Sequence, residues 1–306
     1  MRDKLKIKKE FDILNNTILL RDGLDAAKLW EARYKSVLDN SPQKGIKIVS
    51  LLGAGAKGAI FSVLYNNQPA ALKIYAYPEE IIQIKALSFW PLISPQIYTQ
   101  PFPEAVLMEK IGVGDKYQPK SNQQEVEEII FVLNYMKQNS PINIPDKAVK
   151  LKLHFDQRIK RAEERNSVHH LFDPESVARV NQLWSKYLSN FSEDNQIVHG
   201  DFSHGNILAG GKQKPIVIDP RTFLWGDKHV DLGKWILARR HGHDIKNGIK
   251  LFSNDDWDGK ALLFWIMLQA YDDSIAIATL KAKDPRIKDY KNVVLNLLKY
   301  SQESQF

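Results

Sequence analysis

The chain contains no cysteine. Disulfides, thiolate zinc sites and thiol-based catalysis are therefore excluded together. A reducing compartment fits that lack, and a cytoplasmic protein is expected. No apolar run approaches the ~20 residues of a membrane span. The opening MRDKLKIKKEFDIL is basic, without the apolar core and small-residue cleavage site of a secretory signal. No basic stripe interleaved with aromatics marks a nucleic-acid binder, and no internal repeat occurs. The rest of the composition is that of an ordinary globular protein. The 306 residues are 43% hydrophobic, 26% charged and 10% aromatic, enough for one large domain or two lobes. Lys and Arg number 43 against 36 Asp and Glu, a net charge of +7. Such an excess favours anionic ligands such as nucleotides, although a generally basic surface gives the same sum.

Residues 197–221, IVHGDFSHGNILAGGKQKPIVIDPR, carry the most chemistry. His199-Gly200-Asp201 is followed by Asn206, five residues after the Asp, and by Asp219 after Ile216, Val217 and Ile218. Phosphoryl transfer needs a carboxylate to orient the attacking hydroxyl, and an amide oxygen plus a second carboxylate to hold Mg²⁺ on the phosphates. The kinase catalytic loop has this Asp-to-Asn spacing. Asp201 is the candidate base, and Asn206 and Asp219 are the candidate metal ligands.

Residues 1–45 read as an N-terminal extension with one helix over 24–39, where Leu24, Ala27, Trp30, Tyr34 and Leu38 recur at steps of three and four. Strand patterns follow in KIVSLLG, AIFSVLY, PAALKIYAY, QIYT and AVLMEKI, with a helix opening at Pro78 between the third and fourth. Helical patterns fill 122–190 and recur over roughly 229–241, 256–276 and 286–300. The expected fold is α+β and bilobal. Residues 46–111 form a small five-stranded antiparallel lobe with one helix, and residues 112–306 form a larger α-helical lobe holding the catalytic loop and an acceptor site.

Gly53-Ala-Gly55-Ala-Lys57-Gly58 is a GxGxxG. A dinucleotide fingerprint needs a helix after the glycines and an acidic residue about 20 positions on; here a strand follows and that position is Lys73. A Walker A loop needs Gly-Lys-Ser/Thr, and Gly58 is followed by Ala59. A kinase glycine loop joins two antiparallel strands over the nucleotide phosphates, with a Lys on the third strand, as in AALK ending at Lys73. Glu79 and Glu80 are the candidates to pair with Lys73. Glu80 fits better, because it shares a helical stripe with Ile84 and Leu87. The backbone of Met108, Glu109 and Lys110 lies where a hinge would hydrogen-bond adenine, and an edge strand without a ligand reads nearly as well there.

This set resembles the aminoglycoside phosphotransferase and choline kinase family, which has a protein-kinase-like fold. HGDFSHGNIL, IDPR, GD at 226–227 and DLGK at 231–234 look most like its streptomycin 6-phosphotransferase-like branch. The resemblance covers roughly 46–240. It implies ATP or GTP with Mg²⁺, Asp201 as base, Asn206 and Asp219 on the metal, Gly53, Gly55, Lys57 and Gly58 over the phosphates, and Lys73 with Glu80 positioning the nucleotide. It also implies that Asp231 braces the catalytic loop.

Three features differ from a protein kinase. Only 11 residues lie between Asp219 and Asp231, too few for a peptide platform, and no Ala-Pro-Glu occurs after them. The Lys that many protein kinases carry two residues after the catalytic Asp is Ser203 here. The interval from Ile111 to Ile197 has room for a helical pair. A small hydroxylated acceptor is therefore expected: an aminoglycoside, another sugar or an amino alcohol. A protein-directed kinase or adenylyltransferase of the same fold is the alternative, as is a nucleotide-binding module without turnover. For a cationic acceptor, Asp255, Asp256, Asp258, Asp272 and Asp273 stand beside Trp257, Trp265 and Tyr271; a helix-end charge cluster with a solvated face is the plainer reading. Arg158, Lys160, Arg161 and Arg165 suit an anionic sugar or the wet side of a helix.

Overall fold

Apolar residues at helical spacing produce the helix that precedes the first strand. In the computed structural model, α1 spans Leu24–Asn40 and buries Ala27, Trp30, Tyr34 and Val37. The structure describes residues 23–303 apart from 56–57, 113–115, 147, 191–195, 212–213, 222, 241–243 and 254–255, together with 12, 15, 16, 18 and 19. Contacts divide the chain into two units, Met1–Tyr117 with Leu208–Ile218, and Gln118–Ile207 with Asp219–Phe306.

In the first unit, β1 (Ile46–Gly55), β2 (Gly58–Tyr65), β3 (Gln68–Tyr75), β4 (Ile97–Phe102) and β5 (Ala105–Glu109) form an antiparallel sheet in the order β1-β2-β3-β5-β4. Asn66 and Asn67, both at positive φ, close the β2–β3 hairpin, as the two-residue turn demands. Side chains alternate across a strand. Leu72 and Ile74 of β3 join Phe61, Val63 and Leu107 in a core with α1, whereas Ala71, Tyr75, Val106 and Met108 cluster together separately. Tyr34 of α1 meets Phe61 with ring centroids 5.8 Å apart.

The helix expected from Pro78 differs in kind. Pro78–Gln83 is a 3₁₀ turn, and only Ile84–Ser88 is α-helical (α2). A 3₁₀ turn repeats every three residues, so the stripe from Glu80 to Ile84 and Leu87 does not run unbroken.

The second unit is helical, as expected: α3 (Asn122–Gln138), α4 (Leu151–His169), α5 (Pro174–Asn190), α6 (His229–Arg240), α7 (Ile245–Phe252), α8 (Gly259–Leu280) and α9 (Arg286–Glu303). Sequence periodicity missed α7, whose eight residues give two turns. It also missed the sheet of β6 (Val149–Lys150), β10 (Leu224–Gly226) and β7 (Gln196–Val198). Strands of two or three residues are too short to show alternation. The β8–β9 hairpin pairs Ile207–Ala209 with Pro215–Val217, and from Leu208 on it belongs to the first unit.

One helix bears on the expectation about membrane spans. Helix α8 is long and apolar enough to cross a membrane by length and composition, but 72% of its apolar window is buried inside the protein. It packs against α4, α6 and α9 as a core helix. Its N-cap is Asp258, whose carboxylate accepts from the Lys260 amide at 2.8 Å.

Trp30 is 1% exposed between α1 and the sheet core. Trp30→Ala should cost ~3–5 kcal/mol of unfolding free energy, read by denaturant titration.

Candidate active site

Strand β7 delivers the loop His199-Gly200-Asp201 into the interior of the second unit. Three residues are short for a strand, and β10 holds it in place with Leu224 opposite Val198. Gly200 has φ +72°, and a Cβ there would lie 2.4 Å from Leu224 Cδ1. Only glycine suits that position.

The loop is tied by one carboxylate. The backbone amides of His199 and Gly200 donate to Asp231 Oδ2 and Oδ1, each at 2.8 Å. Asp231 itself is fully buried in the first turn of α6. Burial pushes its carboxyl up to about 7, against the two amides, which pull it down. His199 is fully buried as well; its Nδ1 accepts from the Asp201 amide at 3.3 Å and its ring stands edge-on to Phe202. The Arg221 amide closes the loop by donating to the His199 carbonyl at 2.8 Å. His199 thus serves the loop's shape.

Asp201 presents a side chain 27% exposed, whose Oδ1 is 3.6 Å from Lys234 Nζ. Lys234 also bonds Asp273, and Arg158 bonds Asp272 and lies 3.5 Å from Asp273. Burial pulls the Arg221 guanidinium pKa down while nearby Asp273 pushes it back up. Burial raises Tyr290 of α9 to about 12, with Asp273 and Asp201 adding to the shift.

Asn206 donates its amide nitrogen to the Asp201 carbonyl at 2.8 Å. Its other amide atom, the oxygen, is the kind of donor a hard cation takes. Asp219 follows β9 at φ +56°, a left-handed conformation that few side-chain-bearing residues adopt. Among the described residues no group of three or more His, Cys, Asp or Glu side chains forms a metal cluster. Magnesium does not require one, because it keeps waters and takes substrate phosphates alongside one or two protein oxygens.

In the first unit, Gly53 and Gly55 lie on β1 and face Ile60 and Gly58 across the hairpin; Lys57 lies outside the described residues. A Cβ on Gly58 would stand 2.1 Å from the Ile74 carbonyl oxygen, so packing requires that glycine. At Gly53 a Cβ would meet nothing within 4 Å, so the chain's own packing does not. Lys73 on β3 is 5% exposed, with Nζ 4.5 Å from the Tyr75 ring centroid. Glu80 is half-buried in the 3₁₀ turn. Met108 and Glu109 end β5, and the Glu109 amide donates to the Gln96 carbonyl at 2.8 Å. Lys110 comes next, half-buried.

The late carboxylates do not act as a set. Asp256 is exposed and Asp258 caps α8, as a helix-end cluster predicts. Asp272 and Asp273 form no solvated face: they are ion-paired inside the protein, and Asp272 is 7% exposed. Trp257, Trp265 and Tyr271 are all core residues, and Asp255 lies outside the described residues. Arg158 is buried against Phe155, whereas Lys160 and Arg161 are exposed and Arg165 half-buried.

Sequence reasoning carried Asp227 only as part of a GD motif and did not read it as another buried carboxylate. His229 Nδ1 approaches it at 2.7 Å, and Tyr187 and Trp265 also donate to it. Burial would raise its pKa, but His229 and Tyr187 outweigh burial and lower it.

Residues 58–251 match the phosphotransferase enzyme family. The chain belongs to that family. No curated protein matches the chain. The choline kinase LicA from Streptococcus pneumoniae is 12% identical, over 88% of this chain and 99% of LicA, with a TM-score of 0.62. A thermostable mutant of aminoglycoside phosphotransferase APH(4)-Ia in its apo form is 12% identical, over 85% of this chain and 96% of its own, with a TM-score of 0.64. LicA has been solved with AMP, and APH(4)-Ia with ADP and hygromycin B. At these identities the likeness shows a shared kinase-like fold.

In this phosphotransferase, Asp231→Ala leaves two buried amides without an acceptor, and should cost ~1–3 kcal/mol for each. An acid whose folded pKa lies above its unfolded value takes up a proton on folding. The Asp231 contribution is therefore fully present below about pH 4 and is lost as pH rises through about 7. The Tm of the parent relative to Asp231→Asn should fall across that range, and a rise would mean that the amides outweigh burial.

Proposed function

We propose that the chain is an ATP- or GTP- and Mg²⁺-dependent small-molecule O-phosphotransferase of the cytoplasm, acting on a hydroxyl of an aminoglycoside, another sugar or an amino alcohol. The observation that carries this reading is Asp201, a partly exposed carboxylate on a loop whose backbone is locked by Asp231. A base must be both accessible and held still, and this one is.

Asp201 takes the proton of the acceptor hydroxyl as that oxygen forms a bond to the γ-phosphorus. The bond from phosphorus to the β-bridging oxygen breaks, and the nucleoside diphosphate leaves with that electron pair. Asn206, through its amide oxygen, and Asp219 would hold Mg²⁺, which neutralises charge on the phosphate oxygens. Residues 46–111 form the nucleotide-binding lobe behind the 1–45 extension. Gly53, Gly55, Lys57 and Gly58 cover the phosphates, and Gly53 supports this because packing leaves its Cβ position open. Lys73 and Glu80 orient the nucleotide, and the backbone of Met108, Glu109 and Lys110 receives the base. The Glu109 amide is already engaged by Gln96, so the neighbouring backbone groups supply those bonds. The catalytic loop and the acceptor site belong to residues 112–306.

The segment between Asp219 and Asp231 favours a small acceptor over a peptide. Strand β10 and the start of α6 take up that interval, and both are buried. A peptide platform would need chain that this segment does not have.

Asp201→Asn should abolish phosphoryl transfer and leave nucleotide binding intact, because the base meets the acceptor and not the nucleotide. Turnover by the variant near the parent rate, with labelled ATP and an aminosugar and polyol panel, would refute the assignment. Asp219→Ala should remove the Mg²⁺ dependence of ATP binding in calorimetry, with a smaller loss for Asn206→Ala. Unchanged metal dependence in the Asp219 variant would place the metal elsewhere.

A further inference from the structure

Lys234 is buried, and a buried ammonium must be paired. It has two carboxylate neighbours, Asp273 of α8 and Asp201 of the catalytic loop, the latter at 3.6 Å. Asp273 does not depend on it alone for neutralisation, because Arg158 of α4 lies 3.5 Å away. Among the ion pairs of the described residues, Asp201 has Lys234 as its cation.

Lys234 sits three residues after Asp231 on α6, so the two share one helix face. Asp231 holds the backbone of His199 and Gly200 from that face. Lys234 reaches the side chain of the next loop residue, Asp201. One helical turn therefore addresses both the backbone and the carboxylate of the same loop. Position 203, where many protein kinases carry a lysine, is serine and brings no charge.

We propose that Lys234 is a positioning residue for phosphoryl transfer, holding the Asp201 carboxylate through an ammonium that Asp273 and Arg158 keep in place. The proposal rests on the reading of Asp201 as the base. It assigns to the Arg158–Asp273–Lys234 chain the orientation of that base and not the binding of a cationic acceptor.

The full chain is assayed for Mg·ATP turnover with water and with a panel of neutral and amino sugars, against Lys234→Met, Lys234→Arg, Asp273→Asn and Asp201→Asn. Rates are normalised to the nucleotide-binding fraction of each preparation. Lys234→Met should lower kcat on the order of 100-fold with the ATP KM unchanged, the loss expected of a misplaced catalytic group. Lys234→Arg should recover most of that loss, and Asp273→Asn should fall between. The double variant Lys234→Met/Asp273→Asn should be no slower than Lys234→Met alone. A binding-independent readout is the ¹H–¹⁵N signal of the Lys234 ammonium, which should be protected from exchange in the parent and altered in Asp201→Asn. Full kcat in Lys234→Met, beside an inactive Asp201→Asn, would overturn this inference and leave the phosphotransferase reading standing. Equal activity of the Met and Arg variants below the parent would reduce Lys234 to packing and also overturn it. Full activity in Asp201→Asn, or no turnover by the parent with water or any acceptor, would sink the phosphotransferase reading and the inference with it.

Discussion

Two backbone amides, those of His199 and Gly200, end on the single buried carboxylate of Asp231. The shape of the 199–201 loop depends on that contact. A three-residue strand cannot by itself fix the loop beyond its end, and the left-handed Gly200 lacks the backbone preference that would hold it in place. Replacing the carboxylate frees two amides in a buried site. The loop would then have to move toward solvent or carry unpaired donors. Asp231 also sets the orientation of α6, because its bonds join the helix's first turn to the end of β7.

The rest of the second unit is arranged so that this turn of α6 is surrounded by protein. Trp235 donates to Glu125 of α3 at 2.9 Å, and Gln269 of α8 donates to the Val230 carbonyl at 2.9 Å. Just upstream of α6, Asp227 gathers His229, Tyr187 and Trp265. The Asp258 amide donates to His229 Nε2 at 3.1 Å, so the ring proton lies on Nδ1, facing Asp227. The His229 ring thus joins the N-terminus of α6 to the N-cap of α8. These buried polar contacts are each satisfied, which makes them rigid and not costly.

Much of this was legible in the sequence, because its chemistry is local. HGD, Asn206 and Asp219 lie within 25 residues, so the spacing alone marks them as candidates and carries the roles proposed for them. The five strands and α1 were legible because their patterns are bounded by clear turn residues and run long enough to count. Other features were not, and three show why. The 3₁₀ turn at Pro78 satisfies the same short apolar pattern as an α-helix, so the stripe that selected Glu80 could not reveal its own break. The β6–β10–β7 sheet is made of pairings between distant two- and three-residue pieces, where alternation carries no signal. Asp272 and Asp273 were read as neighbours in sequence, yet what defines them is Arg158, more than 100 residues away, as the spacing of 115 between Arg158 and Asp273 shows. DLGK held the one available clue, since Asp231 and Lys234 stand at helical i,i+3 spacing.

Helix α8 shows why the ion pairs sit where they do. It is apolar on nearly every side, and in its midst stand two adjacent carboxylates. Buried charges of this kind stabilise little, because losing their hydration offsets most of the attraction. What they supply is a constraint. Arg158 on α4 and Lys234 on α6 can satisfy Asp272 and Asp273 only when the three helices hold one rotation relative to each other. An all-apolar version could pack the same core with Leu and Met and lose little stability. It would have no charge left to reach Asp201, and α8 would no longer be tied to the 199–201 loop.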